Sequence, residues 1–270
     1  MTFFDLERPE HAYMFAFLQA DGHLRQGPGN KGTLSVELSA RDAPILEEFQ
    51  RLCPFNSTIK YRTRSTNFKA EHTSVMWTVY AREFREELQE LGLPAGRKSD
   101  LVGPPTVPFS RRDYLRGLID ADGSVGRTSD DLPFVSLTTK SDALAIFTAD
   151  YADQLCGARR KLTRNKRDDI YNILFLKEAG VALATDLYYP GCLALPRKVV
   201  GADRARTWVR PPTMKLAPPR RSWTPEEDEV ILAATSMERA SEQLDRTLKS
   251  CTIRHWRLVG PKYSRVSRQR

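Results

Sequence analysis

The chain has 270 residues, 40% of them hydrophobic and 28% charged, which is the balance of an ordinary soluble globular protein. It holds no apolar run of the ~18 residues that a membrane span needs. The net charge of +8 is uneven: 15 Lys and Arg stand against 8 Asp and Glu from residue 201 onward, and 27 against 26 before it. A basic tail on a near-neutral body points to a polyanionic partner.

The start, MTFFDLERPE, lacks the basic residues and apolar stretch of a signal peptide. Cys53, Cys156, Cys192 and Cys251 show no C-x-x-C pairing and no metal-finger spacing. Cys53 and Cys156 follow equivalent helices, which predicts buried thiols in a reducing, cytoplasmic setting.

From Tyr13 the chain reads YMFAFLQADGHL, an apolar helix ending in Asp21 and Gly22. KGTLSVELSA (31–40) alternates as a strand, and 41–52 has the helical spacing of Ile45, Leu46, Phe49 and Leu52. STIKYRTR (57–64) alternates again and sets Lys60, Arg62 and Arg64 on one face. TSVMWTVYA (73–81) follows as a strand and 82–92 as a helix ended by glycine, with Arg97 and Lys98 just beyond. A short strand after Asp21 completes an αββαββα order over residues 1–100.

Prolines in LVGPPTVPFS (101–110) favour an extended linker. YLRGLIDADGSV (114–125) then repeats the first helix, with Gly117 at the place of Ala16, Asp122 at that of Asp21 and Gly123 at that of Gly22. The order recurs over residues 101–210. Strands are expected at 124–127 and 134–139, a helix at 142–155, and a basic strand at 158–166 (ARRKLTRNK). An apolar strand (170–176) and a closing helix (178–189) follow, with Arg197 and Lys198 after the helix. The second basic strand offers Arg159, Lys161 and Arg164 for a matching stripe.

The second motif helix accepts two penalties. A carboxylate in the last turn opposes the helix dipole by a few tenths of a kcal/mol. A mid-helix glycine costs about 1 kcal/mol. The small residues let two helix backbones approach and cross, and Gly22 and Gly123 are read as left-handed caps. Two carboxylates brought together repel unless a divalent cation sits between or beside them. The shared 101-residue offset marks an internal duplication.

LRGLIDADG (115–123) and MFAFLQADG (14–22) resemble the signature of the LAGLIDADG homing endonucleases, over roughly residues 10–210. The resemblance implies an α+β, pseudo-twofold fold with two αββαββα repeats, a DNA-binding saddle and double-stranded DNA as partner. It implies a monomer that needs no protein partner and cleaves both strands with Mg²⁺. Asp21 and Asp122 would ligate the metal with the carbonyls of Ala20 and Ala121. Lys98 and Lys198 would serve catalysis. Lys60, Arg62, Arg64, Arg159, Lys161 and Arg164 would face DNA. The same fold also allows an RNA maturase or a cleavage-inactive DNA-binding regulator.

Beyond a proline-rich linker (211–219), residues 220–270 are read as a small all-α module. Thr224, Pro225 and Glu227 form a capping-box pattern, and helices are expected at 240–244 and 247–258. Trp223, Ile231, Leu232, Leu244 and Trp256 are the expected core. Its W-T-x-E-E-D opening and R-T-x-x-x-C-x-x-R-x-x-R-L ending resemble Myb/SANT-type helix-turn-helix domains, without their evenly spaced tryptophans. Lys249, Arg254 and Arg257 would contact DNA.

Overall fold

Pro9 opens the first helix, α1 (Pro9–Asp21), because a proline in the first turn lacks only an N–H that the helix would leave unpaired. The computed structural model describes residues 2–66, 69–214 and 222–260. The chain divides into two units, Met1–Pro211 and Pro212–Arg270. The expected linker at 211–219 lies outside the described residues from 215 on, as do the last ten residues of the expected module.

In the first unit α1 leads into β1 (His23–Arg25), β2 (Thr33–Ser39), α2 (Ala43–Leu52), β3 (Ser57–Thr66), β4 (Lys69–Val79) and α3 (Arg82–Glu90). The four strands form an antiparallel sheet in the order β1-β2-β4-β3. Leu34, Val36, Val75, Trp77 and Val79 turn to the core and are buried, as period-two alternation requires. The second motif helix, α4 (Arg111–Asp122), runs into β5 (Gly123–Arg127), β6 (Pro133–Thr139), α5 (Asp142–Cys156), β7 (Tyr171–Leu176), α6 (Glu178–Leu187) and α7 (Pro196–Arg206).

The second sheet has three strands, β5-β6-β7. The basic strand expected at 158–166 does not form. Gly157 ends α5 in the left-handed conformation (φ 68°), and the following segment makes one isolated bridge, Arg164 to Tyr171. Arg164 is drawn instead to Asp142 at 3.0 Å and Asp169 at 3.1 Å, with its guanidinium over the Tyr171 ring. Arg159 pairs with Asp153 at 3.3 Å. These charges therefore do not line a strand face with Lys161. Cys156, expected to be buried, is exposed, whereas Cys53 is buried.

Helices α1 and α4 form the centre of this unit. Nearly every side chain from His11 to Gln19 and from Asp113 to Asp120 is buried. The helices approach closely at Gly117, where a Cβ would lie 2.4 Å from the Tyr13 carbonyl oxygen and 2.8 Å from Ala16 Cβ. Gly117→Ala should therefore destabilise the protein despite alanine's better helix propensity. Overpacking against backbone costs about 1–3 kcal/mol, which should lower Tm by several degrees in a scanning-calorimetry comparison. An unchanged or higher Tm would mean that the helices are not in this contact.

The motif-ending glycines are not left-handed caps. Gly22 (φ −70°, ψ 141°) and Gly123 (φ −117°, ψ −167°) are extended, and the next strand starts at once. They are required for space. A Cβ would meet Leu18 O at 2.5 Å at position 22 and Ser136 O at 2.4 Å at position 123.

The second unit holds α8 (Pro225–Ala233), α9 (Met237–Leu244) and α10 (Leu248–Val259). Thr224 and Glu227 close a reciprocal capping box. The core centres on Ile231, Ala240 and Cys251, with Trp223, Met237, Leu244 and Leu258 packed on it. Leu232 and Trp256, expected inside, are 52% and 59% exposed. Arg246 packs beside that core, pairing with Glu227 at 2.7 Å and lying over the Trp223 ring at 4.0 Å. Among the described residues no helix is long and apolar enough to cross a membrane.

Candidate active site at the paired helix ends

The crossing of α1 and α4 brings their C-terminal aspartates into one electrostatic neighbourhood. The carboxyl of Asp122 is pushed up to about 6, first by burial, then by the negative charge of Asp21, against the pull of Lys98 and Lys198. Asp21 is also raised by burial, and Lys98, Arg197 and Lys198 lower it in turn. Ala20 and Ala121 lie in the last turns of their helices, where carbonyls have no intrahelical amide to accept from.

The two lysines reach the same place from separate segments. Lys98 lies between α3 and α4, and its ammonium donates to Leu18 O at 3.0 Å. Lys198 sits in the first turn of α7, 4% exposed, and donates to Ile119 O at 3.2 Å and to Gly123 O. Burial pushes both ammonium groups down to about 8, while Asp21 and Asp122 raise Lys98 and Asp120 raises Lys198. Of the flanking arginines, Arg97 pairs with Asp100 at 3.5 Å and Arg197 with the buried Asp42 at 3.1 Å.

A cleft beside Asp122 is lined by Ala20, Lys98, Thr138 and Lys140. It joins a lysine of the first repeat to a carboxylate of the second. Among the described residues no three His, Cys, Asp or Glu side chains group to hold a metal ion. The donor set nonetheless fits a hard cation: two carboxylates, helix-end carbonyls and room for water are what Mg²⁺ accepts, since it dehydrates reluctantly.

The sheets' open faces differ. Lys60, Arg62 and Arg64 are exposed along β3, an edge strand, in register with Met76, Ser74 and His72. Arg64 also reaches Glu37 at 3.2 Å. On the second sheet Ser124, Ser136, Thr138, Asn172 and Leu174 share the equivalent face, with no basic stripe. In the second unit Lys249 and Arg257 are exposed on α10, whereas Arg254 is held by Asp228 at 2.6 Å. Ile253 and Trp256 share the face of Lys249 at helical spacing and are exposed.

Several polar residues of the helix pair were missed by motif reading. Asp120 is fully buried and accepts from Tyr13 Oη at 2.7 Å, Tyr188 Oη at 2.6 Å and the Leu195 N–H at 2.7 Å. Arg116, also fully buried, pairs with Asp113 at 2.6 Å and donates to Leu193 O and Leu187 O. Tyr13 and Tyr114, like Gln19 and Asp120, stand at the same 101-residue offset as the motif aspartates, a signal present in the sequence.

Residues 110–182 match the LAGLIDADG-like domain family. Among solved structures, the chain is similar to the homing endonuclease I-WcaI bound to its DNA recognition sequence. Identity is 13%, coverage is 73% of this chain and 87% of that chain, and the TM-score is 0.51. Structures of mesophilic variants of the homing endonuclease I-DmoI are similar at 15% identity, covering 71% of this chain and 96% of that chain, with a TM-score of 0.47. By sequence, the chain is 33% identical over 130 residues to the tRNA-splicing ligase RtcB of Methanopyrus kandleri. That match covers 42% of this chain and 13% of the length of that protein. The fold is the mixed α/β fold of the LAGLIDADG homing endonucleases, with two antiparallel sheets and a helical C-terminal region.

Proposed function

We propose that this chain is a metal-dependent endonuclease that makes a double-strand break in DNA at a long, asymmetric target, in the service of a mobile intron, an intein or a free-standing element. The observation that carries the reading is the convergence of Asp21 and Asp122 at the paired helix ends, each within the field of half-buried Lys98 and buried Lys198. Titratable groups shifted by burial and by one another and gathered beside a cleft mark a candidate site of chemistry.

In this reading Asp21 and Asp122, with the carbonyls of Ala20 and Ala121, hold Mg²⁺. The bound ion would polarise the scissile phosphate and lower the pKa of water. Lys98 and Lys198, held by helix-end carbonyls, present a donor beside each carboxylate and can stabilise charge on a phosphate oxygen or move a proton near neutral pH. Lys60, Arg62 and Arg64 track a groove from the first sheet; the uncharged face of the second reads by polar and apolar contact. The unlike faces require an unlike pair of half-sites. In the tail, Lys249, Ile253, Trp256 and Arg257 form the face of α10 that meets flanking duplex. Arg254 keeps its structural pairing with Asp228.

A regulator that only binds DNA on this fold needs neither the aspartate pair nor the two lysines beside it. The test is digestion of a randomised duplex library with the purified protein and Mg²⁺, followed by sequencing of the cut ends. Recovery of one asymmetric site, cut on both strands, supports the endonuclease. Enrichment of bound but intact duplex would replace it with the regulator, and binding to structured RNA alone would favour a maturase.

A further inference from the structure

Two hydrogen-bonded chains cross between α1 and α4, and each links one repeat's tyrosine to the other repeat's lysine-bearing segment. In one, Tyr13 of α1 donates to Asp120 of α4 at 2.7 Å, and the same carboxylate oxygen accepts the Leu195 N–H at 2.7 Å. Leu195 is the residue before α7, and Lys198 lies in that helix's first turn. In the other, the Tyr114 hydroxyl of α4 lies 2.5 Å from Gln19 Oε1 of α1. The Gln19 amide donates to Gly92 O and Gly103 O, each at 3.0 Å, at the two ends of the segment that carries Lys98.

The residue types follow from what each segment offers. The α7 start presents an N–H, which needs an acceptor, and position 120 is Asp. The 92–103 segment presents two carbonyls, which need donors, and position 19 is Gln. Neither residue can replace the other without leaving a buried polar group unpaired. All four side chains are buried.

We propose that Tyr13 and Tyr114 are positioning residues wired crosswise, Tyr13 setting Lys198 of the second repeat and Tyr114 setting Lys98 of the first. The placement of the lysine segments stands on the hydrogen bonds alone. The catalytic consequence rests on the endonuclease reading above.

The test compares Tyr13→Phe and Tyr114→Phe in the full-length protein by two readouts. Hydrogen–deuterium exchange needs no activity: Tyr13→Phe should speed exchange in 193–199 and leave 92–103 unchanged, and Tyr114→Phe should do the reverse. Strand-resolved single-turnover cleavage is the second, with each strand assigned to its lysine by Lys98→Met and Lys198→Met. Tyr13→Phe should slow the Lys198 strand about tenfold, the loss of one hydrogen bond to a charged group, with the other strand within about twofold. Tyr114→Phe should slow the Lys98 strand. If each variant loosens both segments alike, or neither, the crosswise wiring is overturned, even in a protein that cuts no DNA. If the segments respond as expected but strand rates fall together, the lysines do not act one per strand and the positioning role fails.

Discussion

Asp122→Asn is expected to abolish double-strand cleavage and at the same time to make the metal-free protein more stable. The carboxyl is raised to about 6 from an ordinary 3.8, by burial and by Asp21. The folded state therefore binds this proton more tightly than the unfolded chain does. Stability falls as pH rises from the unfolded value through the folded one, and the full cost remains at neutral pH. Asparagine removes that cost. The gain in Tm should be present at pH 7 and vanish below about pH 4, where Asp122 is protonated in both states. Mg²⁺ should raise the Tm of the wild type by mass action and do so less in the variant. Cleavage should fall by about 10³-fold or more, the several kcal/mol that a metal ligand supplies. Specific binding should persist, because this carboxylate reads no base. Asp21→Asn should behave alike. A variant that still makes double-strand breaks at the wild-type rate would remove the two-carboxylate site.

Much of the architecture was legible because duplication repeats a pattern too long to arise by local chance. The strand alternation of β2 and β4 and the amphipathic α2 follow from apolar periodicity, and the motif helices, buried all round, from their repeated letters. Failures fell where a local pattern has two physical uses. Ala158–Lys166 stands where the duplication calls for a basic strand, yet a place in the repeat does not say whether the backbone finds a neighbour, and Arg164 is better satisfied by Asp142 and Asp169. Gly22 and Gly123 have the position of left-handed caps, but their lack of a Cβ serves close packing against Leu18 and Ser136. Trp256 looked like core on hydrophobicity alone, whereas Cys251 and Ala240 fill the small interior of the three helices. The Tyr13–Asp120 and Tyr114–Gln19 links are visible in the sequence only as equal offsets. Their meaning depends on which backbone groups the crossing helices present.

Lys98→Met and Lys198→Met should each turn a double-strand break into a nick. Burial holds both ammonium groups down to about 8, so each exchanges its proton near physiological pH and sits beside a carboxylate. Methionine keeps the length and apolar stem while deleting the donor and the charge. The rate on the strand that the lysine serves should fall by about 10²–10³-fold, within the range of positioned proton-transfer groups, with the other strand little changed. On a supercoiled plasmid carrying the target, open circles should accumulate before linear product. Affinity and its salt dependence should stay near wild type, because both ammonium groups already donate to carbonyls within the protein. A lysine that only anchors a phosphate would behave differently. Its loss would weaken binding and flatten the log–log salt slope by about one unit, with single-turnover cleavage of bound DNA largely intact. Equal slowing of both strands by either variant would mean that the two lysines act as one unit, and the site would then have to be redrawn as a single shared centre.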